Sequence, residues 1–319
     1  MTTKKVTGSQ AVILSLLEEG VDTIFGYPGG AIMPVYDALY DHNDNVKHIL
    51  TRHEQGAVHA AEGYARVTGK PGVCFATSGP GATNLITGIA DAMLDSVPLV
   101  CIIGQVASPL LGTDAFQESD VVGISMPVTK WNYQITTPEE IPETIAKAFY
   151  IANSGRPGPV LIDITKDAQF GELDFDYKKC TKVRSYVPEK PIDQFKIKEA
   201  AEIIDNAERP LLLFGQGVII GRAEEELKAF VEKTGIPAAW TLLGLSALPT
   251  DHPLNVGMLG MHGNYGPNLL TNHADVIISV GMRFDDRVTG KVSKYATGAK
   301  IIHLEIDPAE LHKIIKADV

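Results

Sequence analysis

From residue 45 onward, short apolar runs alternate with longer amphipathic ones. Residues 47–51, 72–76, 99–104 and 159–164 read as strands, and 55–67, 82–94 and 138–153 as helices. The strands are apolar on both faces, as a parallel sheet covered by helices on each side requires. A polar start, residues 1–10, leads into a short amphipathic helix. Between Gly171 and Asp193 the pattern lapses into charged residues with two prolines, which reads as a linker. Alternation then resumes, with helices over 197–206 and 223–234 and strands over 211–214, 238–241, 276–280 and 300–306. A further helix is expected to open at Pro308. The pattern predicts an α/β chain of two doubly wound parallel-sheet domains, 1–170 and 194–319, the second incomplete, joined by 171–193.

Composition narrows the function classes. A chain of 319 residues, 45% hydrophobic and 21% charged, can bury two cores without disulfides or structural metal. A net charge of -11 argues against nucleic acid and anionic membranes as partners, because both call for a basic face. The longest apolar run, 97–103, is too short to span a bilayer. The first residues lack the apolar core and cleavage site of a secretory signal. Cys74, Cys101 and Cys180 are scattered and odd in number, and read as reduced thiols of a cytoplasmic protein.

Candidate chemistry sits where strands end. Arg52-His53-Glu54-Gln55-Gly56 joins a strand to a helix, at the edge where open α/β sheets bind ligands. Glu54 either serves chemistry or simply favours the positive start of the helix. His53 and His59 make no metal pair, since on a helix they point about 240° apart. Ser78-Gly79-Pro80-Gly81-Ala82-Thr83-Asn84 is a glycine-rich turn, but Ala76 replaces the first glycine of a nucleophile elbow. It either lets backbone approach a flat or anionic ligand, or is a tight turn with no ligand.

The second half carries weaker signals. Gly215-Gln216-Gly217 and Gly221 approach the dinucleotide fingerprint, yet residues 238–243 lack the acidic residue that binds an NAD ribose. Glu305 and Asp307 either face an adenosine or precede the Pro308 turn. The run from Gly281 through Arg283, Asp285 and Asp286 to Arg287 is either a surface ion-pair cluster or a holder of a diphosphate and ribityl chain. Gly290-Lys291 is no P-loop, because position 285 is not glycine and Val292 replaces the hydroxyl residue.

Together these segments resemble acetohydroxyacid synthase (acetolactate synthase) large subunits along essentially the whole chain. The likeness runs through Phe25-Gly26-Tyr27-Pro28-Gly29-Gly30-Ala31, Arg52 to Ala57, Ala61-Glu62-Gly63-Tyr64-Ala65-Arg66, and Thr77 to Asn84. It continues through Gly112-Thr113-Asp114-Ala115-Phe116-Gln117-Glu118 and Gly155 to Val160. The Glu54 and Ser78–Asn84 motifs belong to thiamine enzymes broadly. The segments 258–263 and 283–287 are narrower and point to the FAD-containing synthases.

The resemblance implies a thiamine pyrimidine-binding domain followed by a Rossmann-like FAD-binding central domain. It implies that Glu54, a carboxyl kept protonated by desolvation, bonds a ring nitrogen of the aminopyrimidine of thiamine diphosphate. Tyr27, Gly30, Pro80, Asn84 and Gln117 would surround the thiamine rings, with Phe116 and Lys166 near the substrate approach. Catalytic roles would fall to Glu54, Gly30, Phe116, Gln117 and Lys166. Arg156, Gly215, Gly217, Thr241, Leu242, Gly260, His262, Arg283, Asp285, Arg287 and Glu305 match FAD contacts. That FAD would be structural, since the condensation has no net oxidation.

The implied reaction decarboxylates pyruvate on the cofactor and joins the two-carbon unit to pyruvate or 2-ketobutyrate, the first common step of branched-chain amino-acid biosynthesis. The family's unit is at least a dimer, and the resemblance admits a small regulatory subunit. Thiamine enzymes bind Mg2+ through Gly-Asp-Gly and a later asparagine pair, which these residues do not contain. The expectation is therefore no metal ligand in this chain, Mg2+ ligands in a separate diphosphate domain, and no turnover by the chain alone. Pyruvate oxidase, a FAD-free catabolic synthase and a non-enzymatic binding module are the rival readings, and an NAD dehydrogenase is the weakest.

Overall fold

A computed structural model describes residues 4–319, which divide into two compact units between Pro188 and Glu189. Among these residues the strands form three sheets. In the first unit they are β1 (Lys4–Thr7), β2 (Thr23–Gly26), β3 (Lys47–Leu50), β4 (Gly72–Ala76), β5 (Leu99–Gln105), β6 (Trp131–Ile135), β7 (Pro159–Thr165) and β8 (Glu172–Phe175). Six of them make one parallel sheet in the order β3-β2-β4-β5-β7-β6.

Alternate side chains of this sheet feed two separate cores, as a period of two demands. Val73, Phe75, Val100, Ile102, Val160 and Ile162 pack under the helices Gly8–Glu18, Met33–Tyr40 and Ile141–Asn153. Cys74, Ala76, Leu99, Cys101, Ile103 and Leu161 pack under Glu54–Thr68 and Pro80–Asp95. Each fully buried Ile, Leu or Phe contributes about 1.5–3 kcal/mol, so the central strands anchor the unit. Cys74 and Cys101 are free, buried thiols paired in register across β4 and β5.

The stretch 171–193 differs from the plain linker expected of it. Its first residues form β8, antiparallel to β1, with Lys5 and Glu172 paired at 2.6 Å. Farther on, the Tyr186 hydroxyl donates to the Ser154 carbonyl at 2.8 Å. These contacts hold the chain to the first unit as far as Pro188.

The second unit has β9 (Pro210–Phe214), β10 (Ala238–Trp240), β11 (Asn255–Met258), β12 (Val276–Val280) and β13 (Lys300–Leu304). All pair in parallel, in the order β11-β10-β9-β12-β13. Leu227 and Val231 of the helix Glu224–Thr234 cover one face, and Met282, Phe284 and Ala317 cover the other. The helix expected from Pro308 is absent. Turns occupy that stretch, and His312 stands at φ 60, where a non-glycine residue ends any helix. The chain then runs back along β13, with Asp318 N donating to Ile301 O and His303 N to Val319 O. Among the described residues no helix is long and apolar enough to cross a membrane.

Candidate functional site

In the first sheet the chain leaves β2 for β3 on one side and returns to β4 on the other. The loops after β2 and β4 therefore diverge, and the crevice between them is where such sheets take ligands. Glu54 opens the helix Glu54–Thr68 and is only 7% exposed. His53 caps that helix, its Nδ1 accepting from Gln55 N at 3.1 Å. Asn84, one turn into the helix Pro80–Asp95, donates its amide to Glu54 Oε2 at 2.9 Å. Oε1 has no hydrogen bond among the described residues, and a Cβ on Gly81 would lie 3.2 Å from it. The crevice thus holds one carboxylate oxygen fixed and one left free.

Its other wall is backbone. Thr77 Oγ1 accepts from Ala31 N at 3.1 Å and so fixes the loop after β2. A side chain added at Gly30 would meet nothing within 4 Å, so that loop borders open space. Tyr27, 42% exposed, sits on the same loop. Burial pushes the Tyr36 phenol well above the usual tyrosine range, with Cys74 and Glu54 adding to the effect. It stays an un-ionised hydroxyl.

The loop after β5 closes on the turn that carries Pro80. Gly79 has φ 59, and a Cβ there would fall 2.5 Å from the Gln117 carbonyl oxygen. Only glycine lets the two backbones meet. Gln117 is itself left-handed at φ 59, while the neighbouring Phe116 is 88% exposed. Lys166 starts the short helix Lys166–Phe170 at the end of β7, exposed, between two fixed neighbours. Ser108 N and Oγ each donate to Asp167 Oδ1 at 3.0 Å, and Thr165 Oγ1 lies within hydrogen-bond distance of Ser108 Oγ at 3.2 Å. Asn84 bonds Glu54 directly, and Gly79, at the start of the same helix as Pro80 and Asn84, meets the Gln117 backbone. Phe116 lies on the loop after β5 and Lys166 at the end of β7, with no hydrogen bond to Glu54 or Asn84 among the described residues.

Sequence reasoning overlooked Gln105 and Asp163, and gave Thr77 no role of its own. Asp163 is fully buried in β7, and its Oδ2 accepts from Gln134 Nε2 at 2.8 Å and Gln105 Nε2 at 3.1 Å. Burial pushes its carboxyl up to about 6 against the pull of those two amides. The signal was present: a lone aspartate inside Val160-Leu161-Ile162-Asp163-Ile164.

His59, Glu62 and Asp91 place ligand atoms within 4.8 Å of one another. Arg66 is already on Glu62 at 3.3 Å and on Asp95 at 2.6 Å. A guanidinium already paired with Glu62 makes the group an ion-pair network.

In the second sheet the corresponding crevice lies between β9 and β12. Gly217 N donates to Gly281 O at 2.9 Å, and a Cβ on Gly217 would stand 2.6 Å from Gly281 Cα. Gly215 meets the same carbonyl, so these glycines serve first to let two loops touch. Thr241 follows β10, its N donating to Phe214 O at 3.0 Å, and Leu242 beside it is exposed. Gly260 is clamped by Asn268, whose amide both accepts from Gly260 N and donates to Gly260 O at 2.8 Å. Asp285 caps the helix Asp286–Thr289 through the N–H groups of Arg287 and Val288. Arg287 pairs with Asp286 at 3.6 Å. Arg283, half-buried, has no hydrogen bond or ion pair among the described residues, and His262 is exposed. Glu305 turns back on its own loop, accepting from Ile306 N and Asp307 N. Arg156 belongs to the first unit, where its Nε donates to Ser96 Oγ at 2.8 Å.

Both halves find counterparts among known proteins. Residues 6–124 match the thiamine pyrophosphate enzyme N-terminal TPP binding domain, and residues 197–319 match the thiamine pyrophosphate enzyme central domain. The chain is 54% identical over 316 residues to the acetolactate synthase large subunit of Corynebacterium glutamicum, covering 99% of this chain and 50% of that protein. It is 53% identical over 315 residues to a probable acetolactate synthase large subunit of Methanocaldococcus jannaschii, covering 98% and 53%. Against the acetolactate synthase isozyme 2 large subunit of Escherichia coli K12 the identity is 51% over 314 residues, covering 98% and 56%. The chain spans about half the length of the curated relatives it matches. With a buried glutamate at the crevice of the first sheet and both domain models matched in order, the chain belongs to the thiamine pyrophosphate enzymes and is similar there to acetolactate synthase large subunits.

Proposed function

We propose that this chain provides the pyrimidine-side and flavin-side domains of an acetolactate synthase, which decarboxylates pyruvate and joins the remaining unit to pyruvate or 2-ketobutyrate. The observation that carries the reading is Glu54: buried at the switch-point crevice, with Oε2 held by Asn84 and Oε1 free. Thiamine diphosphate, when bound, supplies a thiazolium that accepts the electron pair released by decarboxylation. Glu54 holds a proton at a ring nitrogen of the aminopyrimidine, and Asn84 keeps its carboxyl from turning away. Gly30 would leave space for the ring, Tyr27 and Pro80 would flank it, and Gln117, held against Gly79, would close that side. Phe116 and Lys166, both exposed, line the approach of the 2-keto acid and receive its carboxylate and chain.

In the second unit, Arg283 has no hydrogen bond or ion pair among the described residues and would be available to a diphosphate. Arg287 lies on the helix Asp286–Thr289, and Gly260 and His262 on the loop that meets it where Met261 N donates to Arg287 O. FAD bound there would meet Gly215, Gly217, Thr241, Leu242, Asp285 and Glu305, and would be structural, since the condensation has no net oxidation. The residues that would bind Mg2+ are not among 1–319, so these residues assayed alone are expected to give no turnover. The working assembly is at least a dimer in the cytoplasm, with a small regulatory subunit as a further partner.

The test is a product assay on the synthase assembly containing this chain, with pyruvate, thiamine diphosphate and Mg2+, with and without FAD. Acetolactate that requires FAD without bleaching it is the expected result. Acetyl phosphate or acetate with flavin reduction would make the protein an oxidase, and flavin-independent acetolactate would remove FAD from the account.

A further inference from the structure

Three strands of the first sheet are laced together by polar side chains in its otherwise apolar interior. Asp163 on β7 accepts from Gln134 on β6 and from Gln105 on β5, and all three bonds of the Gln105 amide are satisfied. Gln105 Nε2 donates to Asp163 Oδ2 at 3.1 Å and to Ser119 O at 3.2 Å, while Oε1 accepts from Val106 N at 2.9 Å. Its second donor bond leaves the sheet and reaches the loop, two residues beyond Gln117.

A strand that needed only packing would carry an apolar residue at position 163, as Ile162 and Ile164 do. A buried carboxylate costs stability, and here Asp163 Oδ1 has no hydrogen-bond partner among the described residues. What it supplies is direction. A carboxylate oxygen that accepts from Gln105 fixes which end of that amide faces β7. The remaining N–H is then aimed at Ser119 O and the oxygen at Val106 N. Gln117 is consequently fixed on both flanks, by Gly79 against its own carbonyl and by Gln105 on the Ser119 carbonyl. A non-glycine residue held left-handed at φ 59 persists only where the surroundings over-determine it.

We infer that Gln105 and Asp163 are positioning residues: through the Ser119 carbonyl they hold the Phe116–Gln117 loop in the geometry that the thiamine crevice and the approaching 2-keto acid require. The inference rests on the reading of Gln117 given above. Gln134 shares Asp163 but does not touch the loop, and it provides the internal control.

The test compares Gln105→Met, which keeps volume and removes the donors, with Gln134→Leu and Asp163→Asn. Amide hydrogen exchange over 112–120 is measured first, in the chain without cofactor. Gln105→Met is expected to speed exchange there by about ten-fold or more while β4 and β7 stay protected. Gln134→Leu, though it lowers the melting temperature, leaves the loop protected, and so does Asp163→Asn, which keeps an acceptor for Gln105, whereas Asp163→Leu, which removes it, speeds exchange over 112–120. Should Gln105→Met fail to fold, Gln105→Leu, smaller and equally unable to donate to Ser119, takes its place. In the synthase assembly, Gln105→Met is expected to raise the pyruvate KM about five-fold or more and to weaken thiamine diphosphate binding as well, while Gln134→Leu alters neither. Unchanged loop exchange in Gln105→Met, or equal release by Gln134→Leu, overturns the inference whatever the activity. A wild-type assembly that makes no acetolactate overturns the functional reading and the keto-acid role with it, while the exchange data still decide whether Gln105 holds the loop.

Discussion

The two sheets are wound alike, each reversing strand order beside its first interior strand, yet their crevices are built differently. In the first unit the crevice between β2 and β4 is lined by a buried carboxylate, an amide bonded to it, and a glycine loop beside open space. In the second, the crevice between β9 and β12 is shut at its base by glycine backbone against glycine backbone, and its charges sit on the rim. Topology places both crevices, but the loops decide whether a site offers proton chemistry or only a grip on an anion. The difference is the one the proposed function calls for, a first domain that activates a cofactor and a second that would only hold one.

The sharpest way to break this contrast is Glu54→Gln. An isosteric amide leaves the crevice packed, yet acetolactate formation by the assembly is expected to fall by about 10²–10⁴-fold, the range for losing a positioned acid–base group. A fall under ten-fold would place Glu54 with the structural helix starts. Next in size is a pair of glycine substitutions. Gly217→Ala, whose Cβ would stand 2.6 Å from Gly281 Cα, is expected to destabilise the second unit by about 2–3 kcal/mol in urea unfolding. Gly30→Ala, with nothing within 4 Å, is expected to change stability by less than about 0.5 kcal/mol and to weaken thiamine diphosphate binding instead.

The legibility of the sequence followed the same line. Strands buried on both faces, such as β4, β5 and β7, and the helices Glu54–Thr68 and Pro80–Asp95 announce themselves by periodicity. The half-exposed edge strand β6, the four-residue β2 and the β1–β8 pair do not, because pairing partners far away in sequence define them. Residues 308–319 mislead for the converse reason. Their helical composition is overridden by hydrogen bonds to Ile301 and His303 on the edge of β13. At the site, Glu54 and Asn84 were legible as motif residues, but their mutual hydrogen bond, and the tie from Gln105 to Ser119, exist only once the sheet is assembled.

A smaller effect separates the two regions by pH. Asp163 has its carboxyl raised from 3.8 to about 6 by burial, so its neutral form stabilises the fold. That contribution is full below the unfolded value and lost as pH rises through the folded one. Asp163→Asn is therefore expected to gain about 2 kcal/mol on the wild type between about pH 4 and about pH 7 in paired urea titrations, and parallel curves would contradict the assignment. Smallest of all, Arg283→Gln is expected to weaken flavin binding about ten-fold in a fluorescence titration, with the melting temperature unmoved.

The most direct test of the central claim, that Glu54 makes the first crevice a cofactor-activating site, is exchange of the thiazolium C2 proton of thiamine diphosphate for deuterium in the assembly, read by NMR. The account predicts fast exchange in the wild type and exchange slowed by about 10²-fold or more in Glu54→Gln at saturating cofactor. Equal rates in the two proteins would contradict it.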